Sequence, residues 1–317
     1  MEEVITYSEK VRQNYDPTHT TVLRNMFARD MKRRFAEIIR AVKIGVYTND
    51  CFGLKPKIRA FQITPPAEEA FAFARSSAKL SAFMKWLQQQ IDKGLLTVQE
   101  LEQVGTSIEA VWMNMYLYDA YKRGVIRARM EMRNAGMDIP TIDETGGIGL
   151  VLGLPMHLER IGLIFTRTFT GLKGITDAMD HVISQILAQG LAEGDGPALL
   201  SRKIVAAIDG TGLGELGITD RLGRFIPAER RAMMLARTEI IRAHHLATIQ
   251  EYRNWAALKI YLKAEWRTGR DDRVCPECAK MEGKVFTLDE AEGMIPAHPN
   301  CRCIFLPWSE ELLQYAK

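Results

Sequence analysis

The stretch VCPECAKMEGKVFTLDEAEGMIPAHPNCRC, Val274 to Cys303, holds four of the chain's five cysteines. Their order is Cys-x2-Cys (Cys275, Cys278), nineteen residues, then His-x2-Cys-x-Cys (His298, Cys301, Cys303). A Cys-x2-Cys turn lets two thiolates reach one tetrahedral ion from the same side, and a second pair from a later loop closes the site at a Zn–S distance of about 2.3 Å. A chain with this segment must therefore bring two loops together. His298 and Cys301 repeat the first spacing, so Cys275, Cys278, His298 and Cys301 are the leading ligand set, with Cys303 as the spare. Cys301 and Cys303 face the same side of an extended chain, which makes a four-cysteine site the rival. A closed set leaves no open position for water, so the expected zinc is structural and the protein is not expected to be an enzyme. Disulfide bonding outside a reducing compartment is the other reading of the same cysteines.

The compartment bears on that choice. No run approaches the roughly 18 apolar residues of a membrane span, and MEEVITYSEK has neither a basic nor an apolar leader region, so synthesis in the cytosol without membrane contact is expected. With 47% hydrophobic and 26% charged residues, the 317-residue chain has an ordinary globular composition and can bury a real core. A net charge of +3 does not by itself imply a nucleic-acid partner.

Most of the chain before the cysteines has helical periodicity. From Val22 to Val46, Leu23, Phe27, Met31, Phe35, Ile38, Val42 and Val46 form one apolar face. The opposite face carries Arg24, Arg29, Lys32, Arg33, Arg34, Arg40 and Lys43 and reads as a solvated stripe or as a surface for acidic protein or DNA. A second helix is expected over Phe71 to Asp92, after the Pro-rich QITPPAEEA, with Phe83, Trp86, Leu87 and Ile91 on one side. The aromatic and Met stripe of AVWMNMYLYDAYKRGVIRARMEMR reads as core packing in a third.

Between Gly136 and Pro155 no helical period survives, and an extended arm able to pack on a neighbouring subunit is expected. Two or three helices should follow, broken by the glycines at 190–196, and then a long helix with Pro227 in its first turn. Beyond it, Leu258, Ile260, Leu262 and Ala264 alternate as a strand, with GKVFTL and CRCIFLPW as two further short strands. The expected fold is thus a mainly α N-terminal and central region with a small α+β C-terminal domain stapled by a Cys/His cluster. Its segments are a helical region 1–135, a Gly-rich loop or arm 136–155, and 156–317.

Two enzymatic patterns were compared with these residues. His157-Leu-Glu159 followed by Cys275-Pro-Glu-Cys278 resembles a zinc deaminase only superficially, because the proline follows the first cysteine and the halves lie far apart. A nuclease built on His298 or His244 with Asn300 would need a second histidine in the same loop. His244 and His245 read instead as packed helix residues. Asp271, Asp272, Arg273 and Arg302 are expected to cap turns and pair charges.

The blocks LARTEIIRAHHLATIQEY, AEWRTGRDDRVCPECAKMEGKVFTLDEA and PAHPNCRCIFLPW, in that order, resemble the phage Mu F-like minor head proteins, the head morphogenesis family of tailed phages. Trp266, Thr268 and Asp271 supply the family's W-x-T-x-x-D segment. The likeness is strong over Leu235 to Pro307 and weaker through the preceding helices. It implies a virion component present in few copies, assembled in the bacterial host cytoplasm. Its implied partners are the portal protein and the scaffolding or major capsid protein, with an influence on DNA packaging or delivery and contact with DNA left open. It does not settle the metal. Some relatives are fused to toxin or nuclease domains, and the short stretch after Pro307 leads us to expect none here. The alternative function is a nucleic-acid-binding or nucleolytic zinc module.

Overall fold

The computed structural model describes residues 16–55, 77–103, 106–210, 226–257, 261–269, 271 and 273–310. QITPPAEEA, the start of the expected second helix, Leu258, Ile260 and Asp272 lie outside these residues. The chain is mainly helical and adds a small antiparallel sheet near its C-terminus. Its helices are α1 (Thr21–Val42, continued by a π-helical turn, Lys43–Thr48), α2 (Ser77–Gly94), α3 (Asn114–Asn134), α4 (Ile148–Leu152), α5 (Pro155–Glu193), α6 (Pro197–Asp209) and α7 (Ala228–Ala256), with the single turns α8 (Pro276–Ala279) and α9 (Leu288–Ala291). A hairpin pairs β1 (Val98–Gln103) with β2 (Thr106–Val111), and β3 (Lys263–Arg267) lies between β4 (Val285–Phe286) and β5 (Ile304–Trp308). None of the described helices is long and apolar enough to cross a membrane.

Two compact units divide the chain, Met1–Ala28, Trp112–Thr168 and Met234–Lys317 in one, Arg29–Val111 and Phe169–Met233 in the other. The division runs through α1, α5 and α7, so neither unit is a continuous stretch of sequence.

In the second unit, the apolar face of α1 is buried as its spacing requires, through Met31, Phe35, Ile38 and Val42. The π turn adds Val46 and packs against α6. Phe83 on α2 stands 5.3 Å from Phe52 and 5.4 Å from Trp86, ring centre to ring centre. Arg34 donates to the carbonyl of Gly94 at 2.7 Å, satisfying the C-terminal end of α2. The break between α5 and α6 falls within 190–196, as expected, and α6 begins with Pro197 at its first position.

The first unit holds the sheet. Its core joins Ala128 and Met132 of α3, Ile241, Ile249 and Tyr252 of α7, Ala264 and Trp266 of β3, Phe305 of β5, and Cys278, Cys301 and Cys303. The register Ala264↔Pro307 and Trp266↔Phe305 turns Ala264, Trp266 and Phe305 into this core. Helices α3 and α7 are linked by buried charge. Arg129 pairs with Glu251 at 2.6 Å, and the Tyr252 hydroxyl donates to Glu131 Oε2 at 3.0 Å.

Several expectations change here. Arg24 is not part of an outward basic stripe. It is 7% exposed and paired with Asp16, whose carboxylate also accepts bonds from Thr18 and Thr21. Burial alone would raise Asp16, but these bonds and the Arg24 charge hold it at about 2. Residues 136–155 are not a wholly extended arm. They contain α4, bury Met137, Ile139, Val151 and Leu152, and are held by Arg129 donating to Thr145 Oγ1 at 2.7 Å. Glycine hid this order because the segment is fixed by side chains of α3, which leave no local period. Among the described residues the strand runs Lys263–Arg267, with Leu262 just outside it. The β1–β2 hairpin was not foreseen, since charged and amide residues interrupt its apolar alternation.

Candidate metal centre

Each end of the cysteine segment is shaped by its own turn. Cys275 caps α8, its sulfur accepting from the Cys278 N–H at 3.3 Å, while Pro276 at the first helical position gives up no needed donor. This places both thiols of the Cys-x2-Cys on one side. On the second loop the Cys301 N–H donates to the His298 carbonyl at 3.1 Å, and Asn300 adopts φ 61°, a left-handed conformation that asparagine tolerates.

The two loops meet. His298 Nε2 lies 3.3 Å from Cys275 Sγ and 3.2 Å from Cys278 Sγ. Its Nδ1 is 2.9 Å from the Pro299 carbonyl, which can only accept, so Nδ1 carries the proton. In the neutral ring the Nε2 lone pair then faces the two sulfurs, the arrangement expected of a ligating histidine. Tetrahedral geometry with Zn–S near 2.3 Å and Zn–N near 2.0 Å sets an S···N edge of about 3.5 Å, close to both contacts.

Cys301 and Cys303 of the second loop complete the cluster. Ligand atoms of Cys275, Cys278 and His298 lie within 4.8 Å of one another, and so do those of Cys278, Cys301 and Cys303. The five residues form two trios sharing Cys278. All five cysteines of the chain are free, with Cys51 buried far away in sequence. A hydrogen bond from Cys303, opposed by burial, holds the Cys301 thiol down at about 5, and burial and the Cys301 charge push Cys278 up to about 12. Cys303 is raised because it donates to Cys301. A cation at the shared sulfur would relieve this competition for one negative charge. Three or four soft sulfurs and one imidazole nitrogen suit zinc by ligand type.

Neighbouring charges brace the loops. Arg302 forms a two-pronged pair with Asp271, Nη1 to Oδ2 at 2.7 Å and Nη2 to Oδ1 at 2.5 Å, and Arg273 adds a bond at 3.1 Å. The Arg302 bond, more than the opposing burial, holds Asp271 well below the carboxylate range. The Asn300 N–H donates to Thr238 Oγ1 of α7 at 3.2 Å. Asp271, Arg273 and Arg302 thus pair charges as expected.

The other singled-out histidines lie elsewhere. His157 is fully buried, its Nδ1 2.9 Å from the Tyr121 hydroxyl and its Nε2 3.7 Å from Glu251. His244 is buried with Nε2 unpartnered among the described residues, and His245 Nε2 donates to the Ala291 carbonyl at 3.1 Å. Sequence reasoning missed the network of Arg129, Glu251 and His157, whose members come from three helices and share no motif.

Fold and site together define a class, a helical protein whose short antiparallel sheet is closed by a Cys-x2-Cys turn facing a His-x2-Cys-x-Cys loop. Residues 181–306 match the family described as Phage Mu protein F like protein. The match takes in α6, α7, β3, β4, the start of β5 and every candidate ligand. No curated protein and no solved structure matches the chain.

Proposed function

We propose that this protein is a minor head protein of a tailed phage, acting in head assembly at the portal vertex. One observation carries the reading, the family match over 181–306, within which α7, the W-x-T-x-x-D strand and both cysteine loops follow in the order of the resemblance. The portal protein and the scaffolding or major capsid protein are its partners, and the virion, built in the host cytoplasm, is its destination. Its position at the vertex is where an effect on DNA packaging or delivery would arise. The protein works by binding and not by catalysis. Zinc held by Cys275, Cys278, His298 and one of Cys301 and Cys303 fixes the loops of the sheet, as the donor set and the S···N contacts suit.

The test is co-expression with the portal protein, followed by purification of portal rings and of mature particles. The chain should co-purify with the rings and remain in particles at a few copies each. Its absence from both would overturn the proposal, and metal-dependent cleavage of plasmid DNA by the purified chain would replace it with a nucleolytic reading.

A further inference from the structure

Five large apolar side chains stand exposed within fourteen residues, Leu150, Leu154, Met156, Leu158 and Leu163. Single exposed leucines need no explanation, but a run of them marks an interaction surface. On α5 this surface carries charge as well. Met156, Glu159, Leu163 and Arg167 are spaced three, four and four residues apart, so they share one face of the helix. The side buried in the chain's own core is a different one, carried by His157, Ile161, Ile164 and Thr168. Leu163 is 69% exposed, with Glu159 four residues before it and Arg167 four residues after it. Glu159 is exposed and has no ion pair or hydrogen bond among the described residues. Arg167, also exposed, lies 3.6 Å from Glu239, but Glu239 holds Arg242 at 3.1 Å too, so Arg167 can turn outward without stranding that carboxylate. Arg160, the other charge nearby, is taken up by Glu292.

We propose that this face of α5 binds a second copy of the chain, the two helices crossing antiparallel with Leu163 on the two-fold axis. The order of charges is self-complementary in that arrangement alone. A two-fold axis through Leu163 sets the residue four before it on one copy opposite the residue four after it on the other, so Glu159 meets Arg167 twice. A parallel crossing would set Glu159 against Glu159 and Arg167 against Arg167, and like charges repel. Leu163 and Met156 supply the apolar centre, and the two ion pairs form the rim. One helical face covers less than the roughly 1,200 Å² of a stable complex, so the dimer is weak, with a Kd on the order of 10–100 µM. The inference rests neither on the head-assembly reading nor on the metal.

The experiment is sedimentation equilibrium of the full chain from about 1 to 300 µM, which brackets that Kd. A reversible monomer–dimer equilibrium is expected. Leu163→Ser should weaken it about tenfold or more by removing an apolar contact from both copies. Glu159→Arg, which sets arginine against arginine at both pairs, should weaken it by a similar factor, and so should Arg167→Glu. An equimolar mixture of these two charge variants should dimerise about as well as the unaltered chain, because every pair across the axis is again opposite in sign. A chain that stays monomeric at every concentration would overturn the proposal and leave the face to a different partner. A dimer unmoved by Leu163→Ser or by Glu159→Arg, or a mixture that associates no better than its two components apart, would overturn it as well. Circular dichroism checks that each variant is folded. Glu159 has no partner in its own chain to lose, so a folding defect in Arg167→Glu leaves the Glu159→Arg result to decide.

Discussion

Gly124 stands where α3 meets α7, and a Cβ there would lie 2.4 Å from the His244 carbonyl oxygen and 2.7 Å from Ala247 Cβ. One of those atoms is backbone on a packed helix, so the helices must separate. Gly124→Ala should cost about 1–3 kcal/mol, read from the denaturant midpoint. Gly149→Ala on α4 meets nothing within 4 Å and should be neutral or slightly stabilising. Helix α7 also contributes to the pH dependence, in the same direction as the buried His157 of α5. His245 donates through Nε2, its buried Nδ1 has no partner among the described residues, and burial lowers its pKa to about 4 against an ordinary 6.5. His244 is lowered further by burial and by Arg127. A histidine kept neutral in the fold takes up a proton more readily when unfolded. The contribution of these two histidines is therefore fully present above pH 6.5 and falls as pH drops towards 4, with His245 alone removing about 3 kcal/mol. His245→Asn should flatten that acid limb in a urea series across pH 4–7, and an unchanged slope would reject the assignment.

At the scale of elements, α1 separates two roles that its spacing ran together. Arg24 is buried against Asp16 and Arg34 satisfies the end of α2, whereas Arg29, Lys32, Arg33, Arg40 and Lys43 are exposed. Only the latter can form an outward basic face that steers encounter with an acidic partner in a salt-dependent way. Arg29→Glu with Arg33→Glu should leave the circular dichroism spectrum unchanged yet lower incorporation into heads severalfold. Arg24→Ala should instead destabilise the fold by stranding Asp16. Normal incorporation of the double reversal would make the stripe a solvated face. The Gly-rich segment is likewise divided, because Met137 and Ile139 lie in the core while Leu150 is 67% exposed. Proteolysis of the free chain should therefore cut near Leu150 before it cuts near Ile139, and protection of Leu150 in assembled heads would mark it as a contact. Arg133 and Arg129 supply the holding bonds from α3, an attachment that no local pattern in GMDIPTIDETGGIG signals.

For the molecule as a whole, the metal question concerns a core and not only a loop. Cys278, Cys301 and Cys303 belong to the same cluster as Met132 of α3 and Tyr252 of α7. Losing the metal should therefore loosen α3 as well as the sheet. Chain purified under reducing conditions should carry about one equivalent of zinc, and a chelator should lower the cooperative transition of this unit. Cys275→Ser should abolish binding. Cys301→Ser and Cys303→Ser form the discriminating pair, since the true fourth ligand loses metal and the spare keeps it. Chain purified without metal under reducing conditions would remove zinc from the account.

Cysteine spacing and helical period, both local properties, sufficed for the mainly α character, the break between α5 and α6, the long helix α7, and the five residues that gather near one site. Even the pairing of Asp271 with Arg302 was within reach, because opposite charges stood on both cysteine loops. Which residues share a core was not. The sheet looked like a small appendage needing a staple, yet Ala128 and Met132, more than a hundred residues upstream, complete its interior. Likewise Cys303, read as a spare, lies within 4.8 Å of both Cys278 and Cys301, making two trios where spacing had suggested one set of four. Spacing constrains only what a turn or a helix repeats within a few residues. Packing brings distant side chains together by shape and burial, so the shared core and the choice between two neighbouring thiols were decided by the tertiary structure alone.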